Sequence, residues 1–178
     1  TLFRSSGGTG IPLVVDPVMV AKGGASLLDE DTRDVVRRRL IPRATVVTPN
    51  IPEAEILAEM SIRDEDDMIA AGRKLLALGP KAVLMKGGHL EQSSSGEVVD
   101  LLLTGVGVKR FTSARIESRH THGTGCTLAS ALACGLAQGL AVEAAVERAR
   151  IYVLAAIMTA PGLGSGHGPL NPGHTIVR

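Results

Sequence analysis

The sequence predicts an α/β protein built on a mostly parallel central sheet flanked by helices, and three observations lead there. Short β-like apolar runs alternate with segments of helical period, the pattern of strands joined by helical crossovers. Glycine-rich turns stand directly before or after these elements, as in Gly123-Thr124-Gly125 ahead of an alanine-rich stretch. Chemistry-bearing residues gather at strand ends and helix starts, where open α/β sheets bind their ligands.

The elements follow in order. Pro12-Leu13-Val14-Val15 forms the first strand and ends at Asp16-Pro17. A helix runs from Glu30 to Leu40 with Asp29 as its N-cap, and Thr45-Val46-Val47-Thr48 is the second strand. Asn50 opens a short helix. Residues 64–78 form a longer one with Met68, Ile69, Leu75 and Leu76 on its apolar side, stopped by Gly79-Pro80. Ala82 to Met85 is a third strand leading into Lys86-Gly87-Gly88. Gln92 to Gly96 reads as a surface turn, and Val98–Leu103 with Val106–Phe111 as a strand pair beyond it. Two helices, near 125–138 and 142–160, precede an irregular tail rich in Gly and Pro from Gly162 to Pro172.

Length and composition bound the function. The 178 residues, 44% hydrophobic and 21% charged, suit one domain over 1–178, and the net charge of +1 argues against nucleic acid or an anionic membrane as partner. The run Arg37-Arg38-Arg39 reads as a solvated helix face. No apolar stretch approaches the roughly 20 residues that span a bilayer, and no secretion signal opens the chain, so the expected location is cytoplasmic. Aromatic residues make up only 2%, leaving a planar ligand little to stack on. The two cysteines, Cys126 and Cys134, stand eight residues apart on one helix, about 12 Å along its axis, too far for a disulfide. Cys134, in an apolar segment, is expected to be a buried packing residue.

Four segments carry the candidate chemistry: DPVM at 16–19, TPNIPEAE at 48–55, KGGH at 86–89 and HGTGC at 122–126. Gly123, Thr124 and Gly125 can present backbone N–H groups to an anion at a helix N-terminus, or simply make a tight turn. The segment lacks the Gly-Lys-Ser/Thr ending of a Walker loop and the third glycine of a dinucleotide fingerprint. Cys126 puts a thiol where the helix N-terminus favours negative charge, a place from which sulfur can take a proton, or is a small residue filling the turn. Lys86 can reach phosphate oxygens or lie on the surface. Asn50 and Glu53 have capping-box spacing, which accounts for them without a ligand, although the carboxylate could orient metal-bound water. Asp16 starts a turn or serves as a Mg²⁺ or water ligand. Zinc at His120, His122 and Cys126 is disfavoured, since no second Cys/His pair stands at ligand spacing. His89 and His167 read as turn residues.

As an ordered set, PLVVDPVMVAKGG, TVVTPNIPEAEIL, AVLMKGGHL, THGTGCTLASALACGLAQG and GHGPLN resemble the hydroxymethylpyrimidine/phosphomethylpyrimidine kinases of thiamine biosynthesis, within the ribokinase-like superfamily. Most ribokinase-like enzymes carry Asp at the position of Cys126, and GTGC is similar to the pyrimidine kinases and a few related pyridoxal kinases. The resemblance implies ATP-dependent phosphorylation of 4-amino-5-hydroxymethyl-2-methylpyrimidine and then of its monophosphate, with ATP and Mg²⁺. It implies Cys126 as general base, Gly123, Thr124 and Gly125 as anion hole, and Lys86 on the ATP phosphates. Asp16, Asn50 and Glu53 would serve the metal or its water, and Val18 would touch the pyrimidine. A homodimer is the assembly to test for. Position 120 is often Asn in the family and is His here; position 23 is often Ser and is Gly here. Family members are about half as long again, so the chain is expected to be the C-terminal, nucleotide-side portion of such a kinase. The alternatives are a cysteine-variant pyridoxal kinase and a non-catalytic nucleotide-binding fragment.

Overall fold

Among the described residues five strands form one mixed sheet in the order β1-β2-β3-β4-β5, with helices on both of its faces. The computed structural model describes residues 10–19, 27–88, 96–164 and 166–176. Gly23, His89 and nearly all of the predicted turn at 92–96 lie outside the described residues.

β1 (Val14–Val15), β2 (Val46–Val47) and β3 (Ala82–Lys86) run parallel. The first two are shorter than their apolar runs for a local reason. Pro12 has no N–H to donate, and the Leu13 N–H goes to the Thr45 hydroxyl at 3.0 Å, so regular pairing starts only at Val14. Pro17 and Pro49, also without donors, follow the two strands closely. β4 (Glu97–Thr104) and β5 (Gly107–Ala114) extend β3 as an antiparallel hairpin, at the place where two strands were expected.

Between the parallel strands lie α1 (Glu30–Val35), α2 (Ile51–Ala58) and α3 (Glu65–Leu76). Asp29 caps α1 as predicted, accepting from the Thr32 N–H at 2.8 Å. The regular helix stops at Val35 rather than Leu40. A π-turn, Val36–Leu40, takes over ahead of Pro42, which cannot donate to the helical ladder and sits in the tight turn Ile41–Arg43. Arg38 and Arg39 of the basic run are exposed, whereas Arg37 is half-buried and pairs with Glu59. α4 (Thr124–Ala137) and α5 (Val142–Met158) are the last two helices among the described residues, and in the tail after them Pro169 bridges to His122.

Alternation along the strands divides the core in two. Val15, Val47, Val83, Met85, Leu101 and Leu103 face α2 and α3, where Leu57, Met68 and Leu75 meet them. Val46, Leu84, Leu102 and Phe111 face α4 and α5 and pack against Leu128, Leu132, Val146 and Val153. Burying side chains of this size contributes about 1.5–3 kcal/mol each, which makes the sheet a rigid platform for the loops at its edge. Among the described residues no helix is long and apolar enough to cross a membrane.

Candidate functional site

The site assembles where β1, β2 and β3 end. Asp16 follows β1 immediately, Thr48 and Asn50 follow β2, and Lys86 closes β3. Parallel strands deliver their last residues to the same edge of the sheet, so three stretches far apart in sequence meet there.

At the centre is the Lys86 ammonium. It donates to Asp16 Oδ1 at 2.8 Å and lies 3.9 Å from Glu53 Oε2. The Thr48 hydroxyl, on a fully buried residue, donates to the same Asp16 oxygen at 2.8 Å. Asn50 and Glu53 form the predicted capping box. The Glu53 N–H donates to Asn50 Oδ1 at 2.9 Å, and the Asn50 N–H returns a bond to Glu53 Oε2 at 2.8 Å. The Lys86 N–H donates to the Pro49 carbonyl at 2.9 Å, stitching the end of β3 to the entry of α2.

The capping explanation of Glu53 is therefore correct, and the same carboxylate also takes part in the charged centre. Its residue is 3% exposed, and burial pushes the carboxyl above its ordinary value. The Asn50 N–H, the Lys86 ammonium and a backbone bond from Met19 oppose that rise, while Asp16 adds to it.

The helix start reaches the same place. Gly123 caps α4 with φ of +87°, a left-handed conformation that an L side chain adopts only at a cost of about 1–2 kcal/mol. The Thr124 hydroxyl donates to the Thr121 carbonyl at 2.7 Å and holds the turn closed. A Cβ on Gly125 would stand 3.3 Å from Lys86 Nζ and 3.6 Å from Asp16 Oδ2, so the first turn of α4 lies directly over the ion pair. Cys126 comes next and is exposed. It opens onto a groove of about 520 Å³ between α4 and α5, with Thr127, Ser130, Arg148 and Tyr152 among its lining.

Cys134 corrects the sequence reading. It is exposed in the same groove rather than buried, because Leu128, Leu132 and Leu136 take the face of α4 that meets the sheet. Val18 lies two residues past Asp16 and donates its N–H to the Asp16 carbonyl at 2.9 Å, while the residue is 44% exposed. Thr48 went unnoticed as a site residue although its segment was singled out. Its only sequence signal is a polar group closing an apolar strand.

Among the described residues no three His, Cys, Asp or Glu side chains converge into a metal cage. The donor set does fit Mg²⁺ in the way that ion is usually held, through one or two carboxylates with water and phosphate oxygens completing the shell. Asp16 and Glu53, 2.8 and 3.9 Å from Lys86 Nζ, are the carboxylates that would hold the ion.

Over most of its length the chain is similar to known kinases. Residues 5–171 match the family model of phosphomethylpyrimidine kinase. The chain is 54% identical over 159 residues to the thiamine biosynthesis bifunctional protein ThiED of Geobacter sulfurreducens, covering 89% of this chain and 32% of that protein. It is 48% identical over 176 residues to the hydroxymethylpyrimidine/phosphomethylpyrimidine kinase of Streptomyces coelicolor, covering 99% of this chain and 64% of that one. Among solved structures, the ADP complex of Bacillus subtilis pyridoxal kinase superposes with a TM-score of 0.80 at 34% identity, covering 90% of this chain and 58% of that one. The phosphomethylpyrimidine kinase of Clostridium difficile gives 0.70 at 43% identity, covering 83% and 58%. The chain thus spans less than two thirds of the length of each of these proteins. With both the sequence match and the ribokinase-like architecture in hand, the chain belongs to the phosphomethylpyrimidine kinase family.

Proposed function

We propose that this chain carries the nucleotide side of a kinase that phosphorylates hydroxymethylpyrimidine and then its monophosphate, using ATP. The observation that carries the reading is the Lys86 ammonium held between Asp16 and Glu53 directly under the first turn of α4. Phosphoryl transfer depends on positioning and on stabilising charge over the transferred oxygens. A cation beside a helix N-terminus supplies that stabilisation.

In this reading the Gly123, Thr124 and Gly125 N–H groups form the anion hole for the transferred group, and Lys86 binds ATP phosphate oxygens. Cys126 Sγ takes the proton of the substrate hydroxyl as its oxygen bonds to the γ-phosphorus and the bond to the β-phosphate oxygen breaks, releasing ADP. Asp16 and Glu53, with Asn50 fixing the Glu53 carboxylate, would hold Mg²⁺ or its water. The ion, when bound, neutralises phosphate charge. Val18, exposed beside this centre, would touch the pyrimidine. The sheet shared by both halves of the core supports treating residues 1–178 as one domain.

A second reading, pyridoxal kinase, is favoured by one observation: the pyridoxal kinase fold superposes more closely than the phosphomethylpyrimidine kinase fold, although at lower identity. The test is ATP-dependent phosphorylation by the protein made from the complete reading frame, with hydroxymethylpyrimidine and pyridoxal in competition. Preferential turnover of the pyrimidine supports the first reading. Preference for pyridoxal selects the second, and nucleotide binding without turnover of either removes both.

A further inference from the structure

Lys86 has a charged neighbour on the strand beside it. In the antiparallel pairing of β3 with β4, the residue opposite Lys86 is Asp100. Residues paired across such a ladder project from the same face of the sheet. Here that is the face covered by α4 and α5, so the carboxylate and the ammonium stand on one side. Asp100 is buried, 8% exposed, in the otherwise apolar run Val98-Val99-Asp100-Leu101-Leu102-Leu103. Left unpaired, a carboxylate in that place would be costly and would draw the ammonium away from Asp16.

Neither oxygen is unpaired. Asp100 Oδ1 accepts from the Gly87 N–H at 3.0 Å, the first peptide after Lys86. Oδ2 accepts from Arg150 Nε of α5 at 2.9 Å. Both side chains of the pair are 11% exposed. Arg150 is itself fixed, because its Nη2 donates to the Ser113 hydroxyl at 3.3 Å and its guanidinium lies 5.4 Å from the centre of the Phe111 ring. A single carboxylate thus joins the turn behind Lys86 to the middle of α5.

We propose that Asp100 and Arg150 are positioning residues for Lys86. Asp100 fixes the turn that follows the lysine through the Gly87 N–H. Arg150 occupies the other carboxylate oxygen, so that the ammonium stays directed to Asp16 and the first turn of α4, where it meets phosphate. The inference rests on the reading of Lys86 as the residue that binds ATP phosphates.

The test is steady-state kinetics of ATP-dependent phosphorylation with the protein made from the complete reading frame, with unfolding temperatures recorded in parallel. Arg150→Met leaves a carboxylate facing Lys86, and the KM for ATP is expected to rise about ten-fold while that for the acceptor alcohol stays in place. Adding Asp100→Asn removes that charge, keeps an amide oxygen for Gly87, and restores the KM for ATP. Where Arg150→Met does not fold, Asp100→Ala and Asp100→Asn make the comparison. The alanine variant, with the Gly87 N–H unpaired, raises the KM for ATP, and the near-isosteric asparagine rescues it. A pair serving only to hold α5 would lower the unfolding temperature in every single variant without a selective change for ATP, and that result overturns the proposal. Wild-type protein that turns over no substrate overturns the role of Lys86 and this inference with it. Wild-type turnover with an ATP KM unmoved in Arg150→Met and Asp100→Ala overturns the positioning role alone.

Discussion

The Lys86 ammonium and the Asp16 carboxylate, seventy positions apart in the chain, are joined at 2.8 Å where the third and first strands end. Their side chains are 15% and 14% exposed, so the pair is largely withdrawn from water. A pair in that setting serves two purposes that can be separated. It ties β1, which has β2 as its only strand neighbour among the described residues, to the rest of the sheet edge. It also holds a cation in place beneath the helix start.

Lys86→Met separates the two. Removing the ammonium leaves Asp16, among the described residues, with the Thr48 hydroxyl as its side-chain donor, and a largely desolvated carboxylate without its cation costs about 1–3 kcal/mol. Phosphoryl transfer is expected to fall about 10²–10³-fold, the size of effect seen when one charge-stabilising donor is taken from a reaction centre. Adding Asp16→Asn should recover much of the stability and none of the turnover. Urea unfolding alongside a kinase assay reads both. Recovery of activity in the double variant would show that Lys86 serves only to neutralise Asp16.

The pair of glycines after Lys86 is not equivalent, and Gly87→Ala against Gly88→Ala shows why. A Cβ on Gly87 would stand 1.9 Å from the Val99 carbonyl oxygen, a backbone atom that cannot move aside without breaking the β3–β4 ladder. At Gly88 the nearest atom would be a Val98 methyl at 4.0 Å, an ordinary contact. Overpacking of the first kind costs about 3 kcal/mol or more, a fall of roughly 6–12 °C in Tm for a chain of this size. Gly88→Ala should leave Tm within about 2 °C. Equal effects at the two sites in a thermal scan would mean that the turn is looser than its geometry.

These particulars show what could be read from the sequence. Caps were legible because they depend on residues three apart: Asp29 with Thr32, and Asn50 with Glu53. The meeting of Asp16, Glu53 and Lys86 was legible through the expectation of a parallel sheet, which collects strand ends at one edge. Cys134 was not, because the composition around it says apolar but not which way the helix is turned. At 3.6 residues per turn, two residues past Leu132 is about 200° around the axis, so a leucine face toward the sheet puts Cys134 toward solvent. Nor did the sequence show which of Gly87 and Gly88 is compelled, since a carbonyl on another strand decides it. Asp100 could have been flagged as a lone charge in an apolar strand, but its partner Arg150, fifty residues on, follows from the packing of α5 alone.

In the proposed reaction Cys126 is expected to matter far more to the first phosphorylation step than to the second. An alcohol must lose a proton as it attacks, whereas a phosphate monoester, with a second pKa of about 6, is already mostly deprotonated at neutral pH. Cys126→Ala should therefore slow phosphorylation of the alcohol by about 10²–10⁴-fold, the usual worth of a general base, and the second step by less than about ten-fold. Because Cys126 is exposed, the variant should fold as the parent does. Separate initial-rate assays with the alcohol and with its monophosphate give the ratio. Equal losses would assign Cys126 a positional role and leave the proton to another acceptor.

Glu53 makes the stability of the fold depend on pH in an unusual direction. Most paired carboxylates sit below their ordinary value when folded and support the native state as pH rises. Burial pushes Glu53 the other way, and the Asn50 N–H and the Lys86 ammonium only partly offset it. Between the ordinary value of 4.5 and the raised one, the folded protein binds more protons at this position than the unfolded chain does. The contribution of Glu53 is therefore complete below 4.5 and is lost as pH climbs through the raised value, by no more than about 1.4 kcal/mol per pH unit. Glu53→Gln keeps an oxygen for the Asn50 N–H and carries no titrating proton. Measured by urea unfolding at a series of pH values, the stability of wild type minus that of Glu53→Gln should fall as pH rises from 4.5. A difference that grows instead would mean that Lys86 and Asn50 outweigh burial, placing a fully ionised Glu53 beside the ammonium and making it the stronger candidate for holding Mg²⁺. A falling difference, together with lost turnover in Glu53→Gln, would show a carboxylate kept in the site for its chemistry at the expense of the fold, which is the balance expected of a functional residue.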